Sequence, residues 1–146
     1  MLILDGIQDP HNFGSISRSA LAFGIEYIFI PKRSVGITAG SIRSSAGAIH
    51  SLKIIRVPNI SNLIEKLKQN NFWIYGLIGK TMQENVSDLQ KERKALVVGS
   101  EHDGISKLVE SKLDYVYKIP MKFESIDSLN ASVAASIAMF QMFKSD

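Results

Sequence analysis

The sequence predicts an α/β domain with a mostly parallel sheet and helices on both faces. Three observations carry that expectation. Short apolar, β-branched runs alternate with segments of helical periodicity along the whole chain. The run Ala95-Leu96-Val97-Val98 is apolar throughout, the pattern of a central parallel strand covered on both faces. Turn-forming residues, among them Asp5-Gly6, Gly24, Pro31, Asn70-Asn71 and Gly79, separate one element from the next.

Residues 2–4 are a short buried strand, closed by the polar turn at Asp5-Gly6. Asp9-Pro10-His11-Asn12 interrupts it, and residues 15–23 read as a helix that Asn12 can cap and Gly24 ends. Tyr27 to Ile30 is aromatic and β-branched, a second strand stopped by Pro31. Residues 34–48, rich in Gly, Ala and Ser, read as a loop with a small helix, and residues 53–57 as the third strand. Ser61 suits the N-cap of a helix whose inner stripe is Leu63, Ile64 and Leu67, ending at Asn70-Asn71. Strands follow at residues 72–77, 95–98 and 116–119. A last helix over residues 130–143 is apolar nearly all round and is expected to be largely buried.

With 146 residues and neither a repeat nor a linker, the chain reads as one domain, residues 1–146. Hydrophobic residues make up 45% and charged residues 21%, ordinary for a globular protein. No apolar run approaches the roughly 18–20 residues of a membrane span, and Asp5 interrupts any signal-like start. The absence of cysteine excludes disulfides and thiolate metal sites and suits the cytoplasm. His11, His50 and His102 are not spaced as a metal set. The net charge of +3 is compatible with an anionic partner but does not identify one.

Three motifs sit where strands hand over to loops or helices, the usual place for α/β ligand sites. The first runs from Leu4-Asp5-Gly6 through Asp9-Pro10-His11-Asn12-Phe13-Gly14 to Arg18-Ser19-Ala20. Its glycine admits a close backbone approach, and Arg18 follows about one turn later. The second, Gly99-Ser100-Glu101-His102-Asp103-Gly104, lacks the lysine of a phosphate-binding Walker loop. Its two acids would repel a pyrophosphate, whereas a phosphate-free sulfonium such as S-adenosylmethionine (AdoMet) is compatible with them. In the third, Ile119-Pro120-Met121 precedes Ser128-Leu129-Asn130, and both Ser128 and Asn130 are good N-cap types.

In order and spacing over nearly the whole chain, these motifs resemble the SpoU (TrmH-type) RNA ribose 2′-O-methyltransferases of the SPOUT superfamily. The Asp9-Pro10-His11-Asn12 form is closest to the large-subunit rRNA guanosine type. The resemblance implies a C-terminal trefoil knot, a homodimer, AdoMet as cofactor, no metal, and RNA as substrate, with rRNA favoured over tRNA. It implies catalytic roles for Arg18, Asn12, Glu101, Ser128 and Asn130, with Arg18 reaching the partner subunit's site. It places AdoMet against Leu77, Gly99, Ile119, Met121 and Leu129. Candidate RNA contacts are Lys32, Arg33, Arg43, Lys53 and Arg56.

Two departures accompany it. The family's glycine after Ile-Pro-Met is replaced by Lys122-Phe123-Glu124-Ser125, and the stretch to Ser128 is one residue longer. The resemblance also begins at Leu2, without the N-terminal RNA-binding domain common in the rRNA branch, so the expectation is a catalytic domain alone. The competing readings are a non-catalytic RNA-binding or assembly module on the same fold and a generic nucleotide-binding domain.

Overall fold

The computed structural model describes residues 1–79, 89, 91–122 and 128–143. Among them the order is β1 (Leu2–Asp5), α1 (Pro10–Ala22), β2 (Tyr27–Pro31), α2 (Ala39–Ser44), a 3₁₀ turn (Ala48–Ser51), β3 (Lys53–Val57), α3 (Ile60–Gln69), β4 (Trp73–Leu77), β5 (Lys94–Gly99), α4 (Lys107–Glu110), β6 (Tyr115–Tyr117) and α5 (Ala131–Phe143). The strands form one sheet in the order β3-β2-β1-β5-β4-β6, and every pairing is parallel. The predicted α/β class with helices on both faces is the one observed.

Side-chain alternation along the central strands builds two cores. Leu2, Leu4, Leu96 and Val98 pack on one face with Phe13 and Ile16 of α1 and Met139 of α5. Ile3, Ala95 and Val97 pack on the other with Ile64 of α3 and Val109 of α4. The unbroken apolar run at residues 95–98 is therefore buried on both sides, as its pattern requires.

Several boundaries differ from the sequence expectation. Helix α1 starts at Pro10, and Asp9 caps it by accepting from the His11 amide at 2.9 Å. Asn12 is therefore a buried first-turn residue and not the cap. Proline at the first helical position lacks an N–H that would be orphaned there anyway, which favours the earlier start. Helix α3 is capped by Asn59, whose side chain accepts from the Asn62 amide at 3.0 Å, and Ser61 is buried in its first turn. Strand β6 begins at Tyr115 and ends at Tyr117, leaving Ile119 beyond it. The single turn of α4 has no counterpart in the sequence reading. Helix α5 is buried on one side only: Val133 and Phe140 are each about half exposed.

Gly14 does make a close approach, but to α2 and not to a ligand. A Cβ there would overlap the Ser41 carbonyl and the Ser44 hydroxyl. Gly14→Ala is thus expected to destabilise the fold by about 2–3 kcal/mol through overpacking against backbone. The check is a lower urea midpoint at unchanged m-value.

Because all the strands are parallel, their carboxyl ends share one edge. The chain winds outward through β1, β2 and β3, then returns to build β4, β5 and β6 on the other side of β1. The carboxyl ends of β5 and β4, beside this reversal, border a cavity, in keeping with the usual place of ligand sites in open α/β sheets. No helix among the described residues is long and apolar enough to cross a membrane.

Candidate active site

The loop after β5 owes its shape to two glycines. Ser100 and Gly104 exchange backbone hydrogen bonds of 3.0 and 3.2 Å, and the Asp103 amide donates to Ser100 Oγ at 3.0 Å. A Cβ on Gly99 would overlap the Gly104 carbonyl and the Ile105 nitrogen, and Gly104 takes φ +69°. The loop closes onto β1 through Asp5, whose Oδ2 accepts from Ser106 N at 2.9 Å and Ser106 Oγ at 2.8 Å. Asp5 is a structural residue of the site that the sequence reading treated as a plain turn. Its partner lies 101 positions away, and no local pattern announces it.

This turn sets Glu101 against α1. Its Oε1 accepts from Asn12 Nδ2 at 3.1 Å and from the Asp9 amide at 3.4 Å. Asn12 Oδ1 in turn accepts from Asn130 Nδ2 at 3.1 Å. Asn130 Oδ1 caps α5, accepting from the Ser132 and Val133 amides at 2.9 and 3.4 Å and from the Ser132 hydroxyl at 2.6 Å. The cap fixes which end of Asn130 faces Asn12, and that fixes which end of Asn12 faces the carboxylate. One residue from each motif is joined in a hydrogen-bond chain of a single polarity.

Beside the chain lies a cavity of about 500 Å³ at the carboxyl edge, bounded by the segments after β4, β5 and β6 and the start of α5. Leu77, Gly99, Ile119, Met121 and Leu129 all line it, as do Glu101 and Ser128. Asn12 and Asn130 stand behind Glu101, outside the lining. Three carboxylates face the cavity (Glu101, Asp103 and Glu110), and no Lys or Arg does among the described residues. Glu110 went unnoticed in the sequence because only the turn of α4 carries it there. Burial raises the Tyr117 phenol above its ordinary value, so at the end of β6 it stays neutral.

Such a cavity rejects a phosphate and accepts a compact cation with apolar and hydrogen-bonding parts. Among the described residues no cluster of three or more His, Cys, Asp or Glu could hold a metal ion.

Arg18 is elsewhere. Six residues past Asn12 on α1, about 9 Å along the helix, it is exposed and lies outside the cavity lining. Among the described residues it has no hydrogen-bond or ion-pair partner. Next to it Ser19 bonds Ser136 of α5 at 2.7 Å, and the same pair of helices exposes Leu21, Val133 and Phe140.

A family model described as the SpoU rRNA methylase family matches residues 1–140. The chain belongs to that family. A Staphylococcus saprophyticus protein named for the TrmH family of tRNA/rRNA methyltransferases is 45% identical over 149 residues, covering 99% of this chain and 58% of that protein. A Staphylococcus aureus protein of the same name gives the same identity and coverage. This SpoU chain thus spans 58% of the length of these curated relatives. The SpoU methyltransferase AviRb of Streptomyces viridochromogenes, solved with AdoMet, superposes with a TM-score of 0.87 at 26% identity, covering 97% of this chain and 58% of that one. The TrmH/SpoU tRNA modifying enzyme of A. aeolicus gives 0.85 at 27% identity, with 97% and 72% covered. Of the segment in which this SpoU chain departs from the family pattern, Lys122 is exposed, and residues 123–125 lie outside the described residues.

Proposed function

We propose that this chain is the catalytic domain of an AdoMet-dependent methyltransferase acting on a ribose 2′-hydroxyl in RNA, with large-subunit rRNA favoured over tRNA. The observation that carries the reading is the acidic cavity, lined among the described residues by three carboxylates and no Lys or Arg, and edged by the Asn130–Asn12–Glu101 chain. Bound there, AdoMet would supply an activated methyl on a sulfonium, and Glu101, Asp103 and Glu110 suit that positive charge. The turn at Gly99 presents backbone groups to the cavity, so holding the ligand requires little from particular side chains.

The remaining tasks are to orient the hydroxyl and remove its proton. Glu101 stands at the cavity wall, fixed by Asn12, to orient the ribose, and Ser128 of the third motif lines the same cavity. A guanidinium stays protonated in proteins, so Arg18 acts as a fork-shaped clamp that stabilises developing charge on the 2′-oxygen. The proton leaves to a phosphate oxygen or water.

Arg18 reaches the site of a second copy. The exposed apolar side chains Leu21 of α1 and Val133 and Phe140 of α5 support a homodimer, and membership of the family supports a C-terminal knot. Agreement of the first motif with the rRNA guanosine form supports the preference for rRNA.

Calorimetric titration with AdoMet tests the cofactor reading. Saturable binding at one site per chain is expected. No heat at millimolar AdoMet would overturn it and leave a non-catalytic RNA-binding module on the same fold.

A further inference from the structure

The carboxyl edge of the sheet divides into two regions of opposite charge. The cavity presents carboxylates and, among the described residues, no Lys or Arg. The β2–α2 connection presents Lys32 and Arg33, both exposed. Among the described residues neither side chain has a hydrogen-bond or ion-pair partner.

This connection is anchored at several points. Val35 is buried in the same core as Ile7. The Ile7 carbonyl accepts from Val35 N at 3.4 Å and Ser34 Oγ at 3.3 Å, which ties the connection to the segment leading into α1. Arg56 of β3 spans it from beneath, donating Nη1 to the Lys32 carbonyl at 3.2 Å and Nη2 to the Val35 carbonyl at 3.0 Å. Where the connection enters α2, a Cβ on Gly40 would lie 3.8 Å from His11 Nε2, so the start of α2 abuts the first turn of α1. Two cations are thus held on a fixed loop beside the first motif. Lys53, a candidate RNA contact in the sequence, is set apart from this loop: at the amino edge of the sheet it pairs with Glu26 at 3.6 Å and Tyr27 Oη at 2.9 Å.

A polyanion whose ribose must approach Glu101 is repelled by the cavity mouth, so its flanking phosphates need positive charge nearby. We propose that the β2–α2 loop is the docking surface for RNA backbone phosphates flanking the target nucleotide. Lys32 and Arg33 make the contacts, and Arg56 is a positioning residue whose guanidinium is committed to the loop's carbonyls. This deepens the RNA reading above and rests on it.

The test is fluorescence anisotropy with a labelled 20-nucleotide oligouridylate between 50 and 200 mM KCl, with AdoMet titrated separately into each variant. A single-stranded phosphate contact contributes about 0.7 to the slope of log K against log salt. Lys32→Ala/Arg33→Ala should lower the slope by about 1.4 and weaken binding roughly tenfold. Arg56→Lys keeps the charge, but a point cation cannot bridge both carbonyls. It should weaken RNA binding several-fold with AdoMet affinity unchanged, whereas general loss of structure would lower both. Lys53→Ala, on the opposite edge, should match the parent slope.

Equal slopes for the parent and the double variant would overturn the proposal, as would an equal loss in Lys53→Ala. Failure of the parent chain to bind the oligouridylate at 50 mM KCl would also overturn it. Failure of the AdoMet titration, by contrast, strikes the methyltransferase reading and leaves the slope comparison to decide the docking surface.

Discussion

Mixing two inactive variants, Arg18→Ala and Glu101→Ala, is expected to restore about a quarter of the parent methyl-transfer rate per chain. Each variant alone should lose about 10²–10³-fold, the usual effect of removing one charge-stabilising or orienting group. Arg18 is exposed, unpaired among the described residues and outside the cavity that Glu101 lines. If it serves the site of a second copy, a heterodimer has one complete site, with Glu101 from one chain and Arg18 from the other. Random exchange makes half the dimers mixed, and half of their sites are complete. If Arg18 served its own chain's site, every site in every dimer would lack one group and nothing would be restored. The readout is radiolabelled methyl transfer to rRNA before and after refolding the mixture together. A mixture no more active than its parents would sink the shared site and return Arg18 to its own chain.

The strands were legible because their signal is local. Residues 95–98 read as a central strand from four apolar residues alone, and the site motifs stand at strand ends where chemistry concentrates. The start of α1 was harder, since Asp9 and Asn12 are both good caps, three positions apart, and only Pro10 between them decides. The exposed side of α5 had no signature at all. A helix apolar all round carries no amphipathic stripe, so its sequence cannot say which side the chain's own core covers. Asp5 was missed for another reason: its meaning lies in a hydrogen bond to Ser106, formed only when β1 and β5 pair. Glu101 shows the same limit in reverse. The sequence could name it, but only the folded loop sets it against Asn12.

That contact gives the second large expected effect. Asn12→Asp is nearly isosteric, and the position still accepts from Asn130, but it replaces the donor to Glu101 with a second carboxylate. Two carboxylates at that separation cannot both stay ionised without cost, so the pair's affinity for a proton rises. Above the pair's raised pKa, repulsion displaces Glu101, and misplacement of an orienting group costs about 10²-fold in methyl transfer. Below it, a shared proton restores an O–H donor between the two side chains, and activity should return to within about tenfold of the parent. The stability sign agrees. A folded-state pKa raised above the unfolded value favours the native state at low pH, and that contribution is lost as pH rises through it. The ratio of variant to parent activity should therefore climb as pH falls, with the variant's thermal midpoint converging on the parent's. Asn12→Ala carries no proton there and should show a flat ratio, which separates recovery of the hydrogen bond from a general effect of acid. Parallel pH profiles for Asn12→Asp and the parent would mean that the Asn12–Glu101 bond does not orient the reacting groups.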